Sequence, residues 1–117
     1  MAGLRETIQS FAMHDAVRGA AIVGEDGLVI HDALAPGTDG EALAALAVTT
    51  LRHADQFGQA AGAGELRTAV FDFGGGPAIL AALSPAATLV VLARPGRDLG
   101  PLLFDIRARR DRLTSLV

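Results

Sequence analysis

An α+β fold is predicted, an α/β/α sandwich whose five-stranded antiparallel sheet carries helices on both faces in the order α-β-β-α-β-β-β-α. Five apolar runs of strand length stand between Gly, Pro or Asp-Gly punctuation, and most of the spacers are short enough for hairpins, which makes neighbouring strands antiparallel. Three further stretches carry apolar residues at helical spacing and supply covering layers for such a sheet. At 117 residues the chain fits one domain, residues 1–117, with no internal repeat and no linker.

The first helix, residues 2–14, places Leu4, Ile8 and Phe11 on one face. VRGAAIVG (17–24) and LVIHDAL (28–34) read as strands around Glu25-Asp26-Gly27, where Asp-Gly suits a tight turn with positive φ. Thr38 or Asp39 is expected to cap the longest helix, which runs from Asp39 to Gly62, and Glu41 adds a favourable charge to its first turn. Leu43, Leu46, Ala47, Thr50, Ala54, Phe57 and Ala61 follow one another along its expected core face. Strands at 66–73, 77–83 and 87–93 come next, separated by GGG and by Ser-Pro. Asp98 is expected to cap a last helix, with Pro101 in its first turn and Leu99, Leu102, Leu103, Ile106 and Leu113 toward the core.

Composition narrows the function. The net charge of −3 gives no general attraction to polyanions, and Phe is the sole aromatic type, so a nucleic-acid partner is not expected. Cysteine is absent, which removes disulfides, thiolate zinc sites and thiol nucleophiles. Residues 73–93 carry no charge, but Gly74–Gly76, Pro77 and Ser84-Pro85 break them into strand-length pieces, so no membrane span is expected. The N-terminal residues lack the continuous apolar core of a signal peptide, and a cytoplasmic location is expected.

No catalytic or cofactor-binding set, and no metal site, can be assembled. Gly74 and Gly76 begin a G-x-G-x-x-G pattern, but Ile79 stands at its last position; the chain has no lysine for a P-loop. The glycines are expected to supply positive φ in the turn between the third and fourth strands, Pro77 opening the fourth. His14, His31 and His53 are scattered, without an i,i+4 pair. Asp32 and Asp72 lie in predicted strands, and Ser10, Ser84 and Ser115 lack a nucleophile-elbow context. RARRDR at 107–112 reads first as cations near a helix C-terminus, and second as a contact for an acidic protein or a lipid headgroup. Nothing local marks Arg18, Arg67, Arg94 or Arg97 as an arginine finger.

Association is the better-supported reading. On the longest helix Ala45, Val48 and Thr49 make a small apolar patch among Glu41, Arg52, Gln56 and Gln59, fit for close approach by another helix. The strand at 66–73 is a candidate open sheet edge.

In order and spacing, VRGAAIVGEDGLVIHDAL (17–34), EALAALAVTTLRHADQFG (41–58) and TLVVLARPGRDLGPLLFDIRARRDRL (88–113) resemble the roadblock family of dynein-associated light chains and bacterial, MglB-type regulators of Ras-like GTPases. The resemblance implies the same sandwich, and a homodimer formed through the middle helix and third strand. Its interface would use Ala45, Val48, Thr49, Arg52 and Gln56 with Arg67, Ala69 and Phe71. It also implies a non-enzymatic module that regulates or scaffolds a small Ras-like GTPase, with or without stimulation of GTP hydrolysis. Two alternatives stand beside it: a small protein or enzyme binding an anionic ligand at the Gly74–Gly76 loop with Asp72, and a structural subunit of a larger assembly.

Overall fold

The computed structural model describes residues 3–117, so the expected helix start at residue 2 lies outside the described residues. Its elements are α1 (Leu4–Ala12), β1 (Val17–Gly24), β2 (Val29–Ala33), α2 (Gly40–Ala60), β3 (Thr68–Phe73), β4 (Gly76–Ser84), β5 (Ala87–Ala93) and α3 (Gly100–Leu116). The strands form one antiparallel sheet in the order β2-β1-β5-β4-β3, which leaves β2 and β3 as its edges. The expected element order and sheet are both present.

Alternation along the strands builds two cores. Ala20, Ile22, Ile79, Ala81, Leu89 and Val91 point to one face, where Ile8 and Phe11 of α1 and Leu102, Ile106 and Leu113 of α3 cover them. Ala21, Val23, Leu80, Val90 and Leu92 point to the other, where α2 supplies Ala44 and Ala47. Central β5 is buried along its whole length, which is why ATLVVLA reads as a continuous apolar run. Of α2 only the alanines Ala44 and Ala47 are fully buried against the sheet, with Leu43, Val48 and Leu51 partly buried beside them. Small side chains at the centre of the contact let the helix axis come close.

The face of α2 differs from expectation. Leu46 and Phe57, assigned to the core, are 64% and 77% exposed, while Val48, assigned to the free face, is half-buried against the second core. The helix carries apolar residues around much of its circumference, and the alanine stripe wins because bulkier residues would hold the helix away. Asp39 is the α2 cap, accepting from the Ala42 N–H at 3.1 Å. At α3 the cap position is Leu99, one residue later than expected; Asp98 Oδ1 still accepts from the Gly100 N–H at 2.9 Å. Because α3 continues to Leu116, none of its arginines lies in the last turn, and the expected helix-dipole role of RARRDR does not apply.

The glycine run is a hairpin turn. Phe73 pairs with Gly76, leaving Gly74 and Gly75 between β3 and β4. Only Gly76 of the three takes positive φ, 123°, and a Cβ there would come 2.3 Å from the Ala93 carbonyl oxygen. The requirement for glycine therefore comes from close approach of β4 to the end of β5, not from the turn itself. A strand, and no helix N-terminus, follows the loop, so the phosphate-cradling geometry of a loop-to-helix junction is missing.

Candidate functional site

The expected interface residues fall into two groups. On α2, Ala45, Thr49, Arg52 and Gln56 are exposed, and Val48 sits partly inside the second core. Thr49 Oγ1 donates to the Ala45 carbonyl at 3.2 Å, which keeps its hydroxyl occupied within the helix. Ala45 has a second constraint that its sequence context did not reveal. Gly27, with φ 79° in the β1–β2 turn, lies so close that an added Cβ would stand 3.4 Å from the Ala45 Cα. Part of this patch is small because a turn packs beside it.

On β3 the pleat divides the side chains. Ala69 and Phe71 pair across from Leu80 and Ala78, whose side belongs to the α2 core, and both are half-buried. The Phe71 and Phe73 rings stack with centroids 6.2 Å apart and planes 22° from parallel, although Phe73 is 60% exposed. Val70, on the opposite face, is 46% exposed. An open sheet edge thus shows apolar side chains on both faces. β3 runs in unbroken register with β4 from Thr68↔Ala81 to Phe73↔Gly76. The opposite edge is shorter and irregular: β2 has five residues, and its pairing with β1 shifts between Ile22 and Val23.

Arg67 lies just before β3, in a group that the sequence did not bring together. Arg110 of α3 reaches the strand, its Nη2 donating to the Arg67 carbonyl at 2.7 Å and to Thr68 Oγ1. Its Nε is buried and has no hydrogen-bond partner. Arg107 joins Arg67, Thr68 and Arg110 around a small recess. Burial first, then the neighbouring Arg67 and Arg107, pull the Arg110 pKa below the ordinary arginine value, and Asp111 opposes them. No sequence signal announces this cluster, since the tie from Arg110 to Thr68 spans 42 residues.

The remaining candidates are placed apart and are mostly explained locally. His14 Nδ1 accepts from the Ala16 N–H at 3.1 Å beyond the end of α1. Ser10 Oγ accepts from Arg109 Nη1, whose guanidinium also lies 4.9 Å from the Phe11 ring centroid, pinning α3 to α1. Arg97 pairs with Asp15 at 2.6 Å. Ser84 Oγ accepts from the Ala86 N–H in the β4–β5 turn. Asp32 and Asp72 are exposed and lie on different edge strands. Among the described residues no three His, Asp or Glu side chains gather as a metal site, and no helix is long and apolar enough to cross a membrane.

This architecture matches a known family. The model of the Roadblock/LC7 domain matches residues 4–93. MglB of Myxococcus xanthus superposes with a TM-score of 0.88 at 17% identity, over 97% of this chain and 93% of that one. A Roadblock/LC7 domain from Streptomyces avermitilis superposes with a TM-score of 0.70 at 26% identity over 100% of both chains. An MglB in a tetrameric arrangement gives 0.84 at 14% identity, over 99% of this chain and 91% of that one. No curated protein sequence matches.

Proposed function

The chain belongs to the Roadblock/LC7 family, and on that premise we propose that it is a homodimeric binding module that regulates or scaffolds a small Ras-like GTPase in the cytoplasm. The observation that carries the dimer is the open β3 edge: regular, in register with β4, and flanked by the stacked Phe71 and Phe73 and by Val70. An edge of this kind left to solvent invites pairing with other chains. Pairing with a second copy removes that liability and joins two five-stranded sheets into one. Ala45, Val48, Thr49, Arg52 and Gln56 of α2 form the helical half of the proposed interface, and Arg67, Ala69 and Phe71 the strand half.

The proposed role is binding and not catalysis by this chain. Family membership and the fold shared with MglB support a regulatory or scaffolding role at family level. The MglB in a tetrameric arrangement supports self-association in this fold. Whether GTP hydrolysis is accelerated depends on the GTPase, whose own catalytic groups such a module would reposition. The glycine-loop alternative loses its physical basis, because β4 follows the turn and no helix presents N–H groups there.

Two measurements test the proposal. Light scattering at micromolar concentration is expected to give twice the mass of the 12.0 kDa chain; a monomer at high micromolar concentration ends the dimer claim. A Ras-like GTPase from the same genome, loaded with a non-hydrolysable GTP analogue, is expected to co-elute with the protein. Absence of a complex with both the GTP-analogue and GDP forms would remove the GTPase reading.

A further inference from the structure

We propose that Asp72 of a second copy completes the arginine cluster of Arg67, Arg107 and Arg110, and thereby fixes β3–β3 pairing in the register that places Val70 opposite itself. The inference rests on the homodimer proposed above and adds its register and its charge contact.

Among the described residues no ion pair joins the cluster, although Asp55, Glu65 and Asp111 line the adjoining cleft with Arg67 and Arg110. Three guanidinium-bearing residues and Thr68 surround one recess at the β3 edge, and Arg110 Nε is buried without a partner. Of these acidic groups Asp111 acts on Arg110. Asp72 stands at the other end of the same strand, exposed, and its side chain takes part in no ion pair or hydrogen bond among the described residues. The edge is therefore positive at its start and negative near its end, which is self-complementary only when the strands run antiparallel.

Backbone geometry then limits the choices. The Ala82 N–H donates to the Arg67 carbonyl at 3.0 Å, so residues 67, 69, 71 and 73 bond inward to β4. Thr68, Val70 and Asp72 turn their N–H and C=O groups outward. A two-fold axis pairing two such edges stands perpendicular to the sheet. Each face continues into the same face of the partner, and only residues of equal parity can lie opposite one another.

Three centres keep most of the edge paired. Centring on Ala69 sets Asp72 opposite Leu66, whose N–H is already committed to Asp55 Oδ1 at 3.0 Å. Centring on Phe71 sets Asp72 against Val70 and pushes Thr68 onto Gly74 in the turn. Centring on Val70 sets Thr68 opposite Asp72 at both ends and uses all three outward-facing residues of each copy. Side chains directly opposite have Cβ atoms about 4.5–5.5 Å apart. That brings the carboxylate beside Thr68, where Arg110 already holds the hydroxyl. On the other face the same register seats Ala69 against Phe71, a small residue against a large one. Shifts beyond these three shorten the ladder, and centring on Asp72 opposes two carboxylates.

The natural absence of cysteine makes the register directly measurable. Single variants Ala69→Cys, Val70→Cys and Phe71→Cys each place a thiol on the two-fold axis of one register. On the axis Val70 faces itself in a bonded pair with Cα atoms about 5.5 Å apart, and Ala69 or Phe71 in a non-bonded pair at about 4.5 Å, all within disulfide range. Mild oxidation is expected to cross-link Val70→Cys and leave the other two largely monomeric on a denaturing gel. Cross-linking of Ala69→Cys or Phe71→Cys in preference overturns the register while leaving the dimer intact. If none cross-links, wild-type light scattering decides: a dimer means that the interface lies elsewhere, and a monomer removes the homodimer as well. Asp72→Asn is expected to weaken the dimer ~3- to 30-fold, since two symmetric contacts are lost at once. Unchanged affinity overturns the ion pair, as does thermal stabilisation of the wild type by inorganic phosphate that Arg107→Gln abolishes, which would identify a free oxyanion as the occupant.

Discussion

Gly76 shows how one residue can be tied to a distant part of the fold. Its φ of 123° and the 2.3 Å approach of the Ala93 oxygen to a notional Cβ leave no room for a side chain, whereas Gly75 faces open space and does not take positive φ. Gly76→Ala is expected to cost roughly 2 kcal/mol or more, since strain and collision add. Gly75→Ala is expected to be neutral or to stabilise by up to about 1 kcal/mol by restricting the unfolded chain. Urea unfolding at fixed protein concentration separates the two, and equal losses would refute the assignment of the constraint to Gly76. Local chemistry made some residues legible from sequence: Asp39 as a cap, and Gly27 in its Asp-Gly turn, each act within three residues of themselves. Gly76 and Arg110 were not legible in the same way, because what constrains them comes from β5 and from β3.

At the scale of elements, strands were easier to read than the orientation of the middle helix. β5 is ATLVVLA in sequence and in structure, because a strand buried on both faces is apolar almost throughout, buried Thr88 being its one polar residue. For α2 the pattern of Leu43, Leu46, Val48, Leu51 and Phe57 surrounds much of the helix, and periodicity cannot choose between faces when apolar residues occur on several. One signal was present: exposed His53 lies on the same stripe as Leu46 and Phe57, marking that stripe as wet. Close packing by Ala44 and Ala47 gives a direct test. Ala47→Leu is expected to lose about 1–3 kcal/mol through overpacking against the sheet. Leu46→Gln, on the exposed stripe, should change stability by no more than about 0.5 kcal/mol. If urea unfolding shows the larger loss for Leu46→Gln, the orientation of α2 is wrong.

At the scale of the whole molecule, the candidate α2 patch was legible only in part: Ala45 and Thr49 are exposed as expected, while Val48 packs against the chain's own core. The order of the five strands was not legible, and it is strand order that makes β3 an edge. Its consequence can be read amide by amide. Within one subunit the Ala69, Phe71 and Phe73 N–H groups are held by β4, while those of Thr68, Val70 and Asp72 face outward. In a monomer the outward set exchanges with solvent far faster than the inward set, giving alternation along six residues. Edge-to-edge pairing protects both sets, but protection of the outward set depends on association. At concentrations about 100-fold above the dissociation constant, exchange of the Thr68, Val70 and Asp72 amides is expected to slow roughly tenfold relative to the dilute protein. The inward amides should change much less, because β4 holds them in either state. Residue-resolved hydrogen exchange at two concentrations measures this difference. Outward amides that remain fast while light scattering reports a dimer would place the contact away from β3, on α2 alone or on another surface. Concentration-dependent protection confined to residues 68, 70 and 72 would instead tie self-association to the strand whose two ends carry opposite charge.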